Sequence, residues 1–364
     1  MDLLDIGRIL VGLVLLVAGG ELLVRGASTL AVRAGISPLV VGLTVVSAAT
    51  SAPELAVTVG AVLDGETDLA IGNVVGSNIA NILLILGASA LVLPLVVRRQ
   101  LIKVDVPALV LLSLLLLALS LDGAISRIDG LVLVILFTGY TIWTVWASRR
   151  AATTPVDTEV PGPAVSLQVA ILLVLGGVAL LVGGAQLLVD GAVNIATSLG
   201  VSGLIVGLTV VAVGTSLPEL TASVVAVRRR QTELAVGNAV GSCLANIGLV
   251  LGAPAFFAPG GLQVPGAAVA LDIPLMIAAA VVLLPVAFTR ALIVRWEGLV
   301  FVGLYAAYTS YVVLAATDHD AAQGFSTVML IFVLPLVVGV PVLAAVYEAG
   351  VRHGRGLSRI PADR

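Results

Sequence analysis

The chain has 364 residues, of which one is cysteine, two are histidine, one is lysine and only 11% are charged. Soluble globular domains carry closer to a quarter charged residues. That scarcity, with 60% hydrophobic content and a mean hydropathy of +1.19, excludes a soluble protein and points to a polytopic membrane protein. The lone Cys243 falls inside a helical pattern, so no intramolecular disulfide can form and the redox compartment is unreadable; it reads as a small buried residue. His319 and His353 both lie outside the apolar segments, which removes a Ser-His dyad from the membrane interior, and no H-E-x-x-H motif occurs. The N-terminus, "MDLLDIGRIL", lacks the basic stretch of a signal peptide, so the first segment is expected to be retained.

What is present is apolar length. A helical span needs roughly 20 apolar residues. That template marks eleven segments, at 7–24, 38–62, 69–95, 104–121, 131–148, 166–189, 203–227, 234–257, 268–288, 297–316 and 326–347. Cytoplasmic loops hold an excess of Lys and Arg. With the N-terminus outside and the spans alternating, 16 of the 18 basic residues fall inside, from Arg25 and Arg33 to Arg359 and Arg364, with Arg8 and Arg127 as exceptions. The outer loops are acidic, with Asp64, Glu66 and Asp68, then Asp122 and Asp129, then Asp318 and Asp320.

A constant offset of 165 superposes the two halves of the chain. "GLTVVSAATSAPE" (42–54) matches "GLTVVAVGTSLPE" (207–219) at nine of thirteen positions, and "LAIGNVVGSNIANI" (69–82) matches "LAVGNAVGSCLANI" (234–247) at ten of fourteen. The same offset pairs "GGELLVRGA" with "GAQLLVDGA", so the repeat begins in the first and sixth spans. Five spans separate the copies, an odd number, so the second copy is inverted in the bilayer. The charges agree: Arg25 aligns with Asp190, and "LDGETD" aligns with "RRRQTE". Inverted repeats mark secondary transporters, whose substrate site lies near the midplane where interrupted helices meet.

Each copy carries a carboxylate just after a proline, Glu54 after Pro53 and Glu219 after Pro218. Locally, Ser51 and Glu54 fit a helix capping box with proline in the first turn, a helix that merely stops and restarts. Inside a membrane such a break persists only where protein or a hydrated cavity satisfies the freed backbone, and an intramembrane carboxylate is by default a functional-site hypothesis. In the following span Asn73, Ser77 and Asn81 line one helix face at i, i+4, i+8, as do Asn238, Ser242 and Asn246. Asn73 and Asn238 are open between ion ligand and interhelical glue, whereas Ser77, Asn81, Ser242 and Asn246 fit better as oxygen ligands beside the glutamates. Gly72 with Gly76, and Gly237 with Gly241, form small-xxx-small pairs that permit close helix approach. The summed donor set is all oxygen, which suits hard cations such as Ca²⁺ and Na⁺ and is a poor match for zinc or copper.

At these residues the chain resembles the sodium/calcium exchanger family of the cation/Ca²⁺ exchanger superfamily, whose two α-repeats read G-T-S-x-P-E followed by G-N-x-x-G-S-N-x-x-N/D. The resemblance covers 7–95 and 166–258 well and the remaining spans only as topology. It implies an all-α, inverted-repeat core of ten transmembrane helices that works by alternating access, with an additional eleventh helix here. It also implies that the first and sixth spans slide past the rest. By position, Glu54 and Glu219 would be the main Ca²⁺ ligands, helped by the carbonyl oxygens of Thr50 and Thr215. Ser51, Ser77, Ser216 and Ser242 would shape the flanking Na⁺ sites, and Asn81 and Asn246 would lie at the centre. Two departures stand out: Asn246 occupies a position that is aspartate in some exchangers with strict Na⁺/Ca²⁺ exchange, and Ala49 replaces the first-repeat glycine. The expected organisation is a first repeat at 1–150, a short cytoplasmic linker at 151–165, a second repeat at 166–320, and an extra span with a basic tail at 321–364.

Three polar features are set aside. Glu21 sits four residues before Arg25, which predicts an i, i+4 ion pair. His319 in "TDHDA" reads as a solvated loop residue, and Arg228 to Arg230 as the positive-inside pattern. The leading function is Ca²⁺ extrusion driven by Na⁺ entry at the cell membrane, with no cofactor, no catalytic residue, no nucleic acid and no obligatory protein partner; the ions are substrates and the bilayer is the setting. Coupling to H⁺ on the same fold is the alternative, and a passive cation channel or a Glu-based intramembrane hydrolase the more remote ones.

Overall fold

A computed structural model describes residues 3–151 and 166–317, with positions 339 and 346 in isolation. The linker beyond Ala151, the eleventh segment apart from those two positions, the basic tail and both histidines lie outside the described residues. The regular structure of the described residues is helical, apart from four two-residue strands. Helix α1 spans Leu3–Ala34, and the second segment is a bent pair, α2 (Pro38–Thr50) and α3 (Ala52–Leu63). Then come α4 (Thr67–Val92), α5 (Leu101–Leu119) and α6 (Arg127–Ala151). The second repeat runs α7 (Leu167–Ser198), the bent pair α8 (Thr209–Thr215) and α9 (Leu217–Arg228), α10 (Thr232–Phe257), the shorter apolar helix α11 (Ala268–Leu284) and α12 (Arg295–Ala316). Seven of these are long and apolar enough to cross a membrane, or nine when each bent pair counts as one span.

Helices α1 and α7, of 32 residues each, pack along most of their length. Their contact is glycine on glycine. A Cβ on Gly12 would come within 2.7 Å of the Gly184 carbonyl, one on Gly19 within 2.8 Å of Gly177, and one on Gly26 within 2.8 Å of Ala170. Positions rise along α1 as they fall along α7, so the two helices are antiparallel, as inversion of the second copy requires. Each exceeds the roughly 20 residues of a perpendicular span, so it must tilt or project from the bilayer.

Helices α4 and α10 form the centre, with α10 the more enclosed, whereas α6 and α12 face outward. Three pairs of π-helical turns recur at equivalent places: Gly42–Val46 with Gly207–Val211, Ala80–Ile85 with Asn246–Leu251, and Leu101–Asp105 with Ala268–Asp272. Such turns loosen the hydrogen-bond ladder and are frequent at functional sites. Two antiparallel clasps cross between the repeats: β1 (Leu95–Val96) pairs with β4 (Leu292–Ile293), and β2 (Ala124–Ile125) pairs with β3 (Leu262–Gln263). Exchanging the two repeats turns one clasp into the other. They sit in loops that the charge pattern assigns to opposite membrane faces.

The ion pairs revise one expectation and account for two exceptions. Glu21 pairs with Arg229 of the α9–α10 turn rather than with Arg25, because the close approach of α9 to α1 brings that turn alongside. Arg8 pairs with Asp5 at 3.1 Å. Arg127 donates from Nε to the Phe256 carbonyl at 2.9 Å and lies over the Phe256 ring. Both basic residues that break the charge pattern thus have partners of their own.

Candidate functional site

The two bent pairs break at Ser51 and Ser216, by 45° and 56°. Both serines take backbone angles between the helical and extended regions, φ −78° with ψ 10° and φ −90° with ψ 6°. Proline sits two residues on in each case and has no N–H to offer the carbonyl of Ala49 or Gly214. Each restart puts its glutamate in the first turn of α3 or α9, where the positive end of the helix dipole favours a carboxylate.

The capping box that Ser51 and Glu54 could form is not made. The hydroxyls cross to the other repeat instead. Ser51 Oγ donates to Glu219 Oε1 at 3.2 Å, and Ser216 Oγ donates to Glu54 Oε1 at 3.5 Å. These reciprocal bonds bring both carboxylates to one place at the junction of the repeats. Glu54 is 1% exposed and Glu219 fully buried.

Asn73 and Asn238, left open between ligand and glue, are struts. Asn73 Nδ2 donates to the Glu54 carbonyl at 3.0 Å and to Thr58 Oγ1 at 2.9 Å. Asn238 Nδ2 donates to the Glu219 carbonyl at 3.3 Å and to Ser223 Oγ at 3.0 Å, while its Oδ1 accepts from Thr50 Oγ1 at 3.2 Å. Each strut fixes the first turn of the helix that carries a glutamate. Thr58 and Ser223 are equivalent positions that the polar pattern alone did not single out.

Five buried oxygens around this junction have no hydrogen-bond partner: Glu54 Oε2, Glu219 Oε2, Asn81 Oδ1, Asn246 Oδ1 and Ser242 Oγ. A buried polar atom left unpaired costs about 1–3 kcal/mol, more when charged. Five of the eleven such oxygens among the described residues thus belong to the predicted ligand set, and as an all-oxygen group they fit a hard cation. Ser77 is buried on the same face of α4 and Thr50 is buried, whereas Thr215 is partly exposed. Among the described residues no three His, Cys, Asp or Glu side chains converge.

Sequence reasoning missed Asn78. It is fully buried, its Nδ2 donates to the Cys243 carbonyl at 3.2 Å, and its Oδ1 accepts from Asn246 Nδ2 at 3.1 Å. The signal was present as a break in the repeat, since the position equivalent to Asn78 is Cys243. A second omission is Asp105, buried within a span, whose Oδ1 accepts from Tyr140 Oη at 2.8 Å.

The two halves of the site are not equally closed. A Cβ on Gly237 would fall 2.4 Å from the Leu39 carbonyl, and one on Gly241 would fall 2.6 Å from Leu43, so α10 seals against α2. One on Gly42 would fall 2.5 Å from the Leu234 carbonyl, whereas the equivalents Gly72, Gly76 and Gly207 have nothing within 4 Å of such an atom. The close approach expected of both glycine pairs is made only by the second.

The family model for "Sodium/calcium exchanger protein" matches residues 4–146 and 169–314. The putative antiporter CaxA of Alkalimonas amylolytica is 39% identical over 281 residues, covering 76% of this chain and 87% of the relative. The sodium/calcium exchanger MaX1 of Methanosarcina acetivorans is 31% identical over 340 residues, covering 82% and 96%. A solved structure of the sodium-calcium exchanger NCX_Mj, soaked with Na⁺ and Ca²⁺, superposes with a TM-score of 0.73 at 32% identity, covering 87% of this chain and 99% of that one. The chain is thus a multi-pass membrane transporter rather than an enzyme, a cation/Ca²⁺ antiporter whose ions are substrates, and it belongs to the sodium/calcium exchanger family.

Proposed function

We propose that the chain exchanges Na⁺ for Ca²⁺ at the cell membrane by alternating access, with its N-terminus outside, its C-terminus in the cytoplasm, and Glu54 and Glu219 as the charged ligands. The observation that carries this reading is the convergence of two crossed carboxylates with three further unpartnered oxygens, from Asn81, Asn246 and Ser242. Two negative charges match one Ca²⁺ or two Na⁺. Either load neutralises the site, whereas the empty site keeps two charges that resist passage through a low-dielectric barrier. Thr50 and Thr215 contribute carbonyl oxygen, and Ser51, Ser77, Ser216 and Ser242 shape the flanking Na⁺ positions.

The described conformation is outward-open under this topology. The half-span 203–215 then lies on the outer side and is exposed or partly exposed at most of its described positions, while its equivalent α2 lies on the inner side and is mostly buried. The sealed α2–α10 contact, the open Gly72 and Gly76 of α4 and the open Gly207 just before α8 support the same assignment.

The test is radioactive Ca²⁺ uptake into proteoliposomes loaded with Na⁺ and diluted into Na⁺-free medium, beside matched vesicles carrying only a pH gradient. Uptake driven by Na⁺ and lost in both Glu54→Gln and Glu219→Gln is the expected result. Uptake driven only by the pH gradient overturns the coupling ion, and near-normal uptake in either mutant overturns the ligand assignment.

A further inference from the structure

We infer that Asn78 is a positioning residue that fixes which end of the Asn246 amide faces the ion, an inference that rests on the cation site proposed above. An amide side chain has a donor end and an acceptor end of nearly equal shape, so packing alone does not choose between its two orientations. At position 246 the choice matters, because only the oxygen end can bind a cation.

The choice is settled two residues away from the ion. The amino end of Asn78 faces two groups that can only accept, the Cys243 carbonyl at 3.2 Å and the Met276 sulfur at 3.4 Å. Rotating Asn78 would turn its oxygen toward both. Its Oδ1 is therefore held toward Asn246, which must answer with Nδ2, at 3.1 Å. Asn246 Oδ1 is then left pointing away, buried and without a partner. The opposite orientation of Asn246 would set two oxygens against each other at the same contact.

The relay belongs to one repeat only. The position equivalent to Asn78 is Cys243, whose side chain has no amide oxygen to present to Asn81 in return. Asn81 and Asn246 are mates by sequence, yet Asn246 meets an amide oxygen from the opposite repeat whereas Asn81 meets the Cys243 sulfur. The same geometry bears on the aspartate found at this position in some family members. A carboxylate at 246 would meet the Asn78 oxygen, acceptor against acceptor.

The experiment is Ca²⁺ binding to the purified full-length protein by isothermal titration, with Asn78→Leu made in the native background and in Asn246→Asp. Loss of one orienting hydrogen bond predicts roughly tenfold weaker Ca²⁺ binding for Asn78→Leu in the native background. In the Asn246→Asp background the same change removes an oxygen that faces the new carboxylate, so binding should be unchanged or tighter. A double-mutant cycle separates this from packing, because a purely structural role weakens binding by the same factor in both backgrounds and overturns the inference. Asn78→Ser, whose hydroxyl is too short to replace the amide, carries the same two comparisons if Asn78→Leu does not yield a protein with a cooperative melting transition. Native protein that binds no Ca²⁺ overturns the proposed function itself, and this inference with it.

Discussion

Ser51 illustrates how a residue with a local role available to it serves a distant one. Its hydroxyl leaves its own helix start and donates to Glu219, 168 positions away, as Ser216 does in return to Glu54. The sequence spacing S-x-x-E was readable as a cap, and nothing in that spacing announces the partner in the other repeat. Asp105 makes the same point outside the site. Its presence in a span was legible, but the shorter of the two hydrogen bonds that make its burial tolerable comes from Tyr140 on the next helix, the longer from Gln100 at 3.5 Å. Buried carboxylates need such donors, and removing one from a charged acceptor costs about 1.5–3 kcal/mol. Tyr140→Phe is therefore expected to lower thermal stability in detergent by that order while leaving the half-saturating Ca²⁺ concentration within about twofold, since neither residue belongs to the central site. Fluorescence-detected melting and uptake assays on one preparation check both halves.

At the scale of helices, most of the architecture was readable because it rests on patterns that a sequence carries directly. Apolar length marked the spans, and the 165-residue offset predicted the inversion that the antiparallel α1–α7 contact displays. Conformation was not readable, because the two repeats share their glycines yet use them differently. Gly241 lies against Leu43, while its mate Gly76 faces open space. A side chain at Gly241 collides with backbone in the described conformation, so Gly241→Leu should disrupt it and lower the yield of folded protein. Gly76→Leu meets nothing in this conformation. It should instead obstruct the mirrored closure of the half-span 203–215 on α4, because overpacking a tight contact costs about 1–3 kcal/mol and so lowers the closed population roughly tenfold. The expected phenotype is near-native folding and Ca²⁺ binding with Ca²⁺ exchange reduced about tenfold. Exchange at the native rate would show that α4 and the half-span 203–215 never close in this way.

For the whole molecule, the question is what holds the inner side shut. Under the proposed topology the ties from α1 to the α9–α10 turn lie on the inner face: the Glu21–Arg229 ion pair and the Ser28 Oγ bond to Gln231 Oε1 at 2.6 Å. Their equivalents on the outer face are Gln186 with Asp64 and Val193 with Glu66, pairs that cannot reproduce the ion pair or the hydroxyl bond. The latch is thus one-sided by composition, and under that topology it is expected to bias the empty carrier outward. Glu21 and Arg229 are each about two-fifths exposed, and exposed pairs contribute only about 0–1 kcal/mol, so Glu21→Gln should shift the balance about fivefold at most. The single native cysteine is fully buried, which leaves a quiet background for labelling. Thr209→Cys, partly exposed on α8, should react with a membrane-impermeant maleimide from outside, while the equivalent Thr44→Cys, buried on α2, should be protected from both sides. Adding Glu21→Gln should slow labelling at 209 and open position 44 to reagent from the inner side, with a further increase when Ser28→Ala is included. Unchanged labelling at both positions would mean that the α2–α10 seal alone holds the inner gate; labelling at 209 only from the inside would reverse the assigned topology.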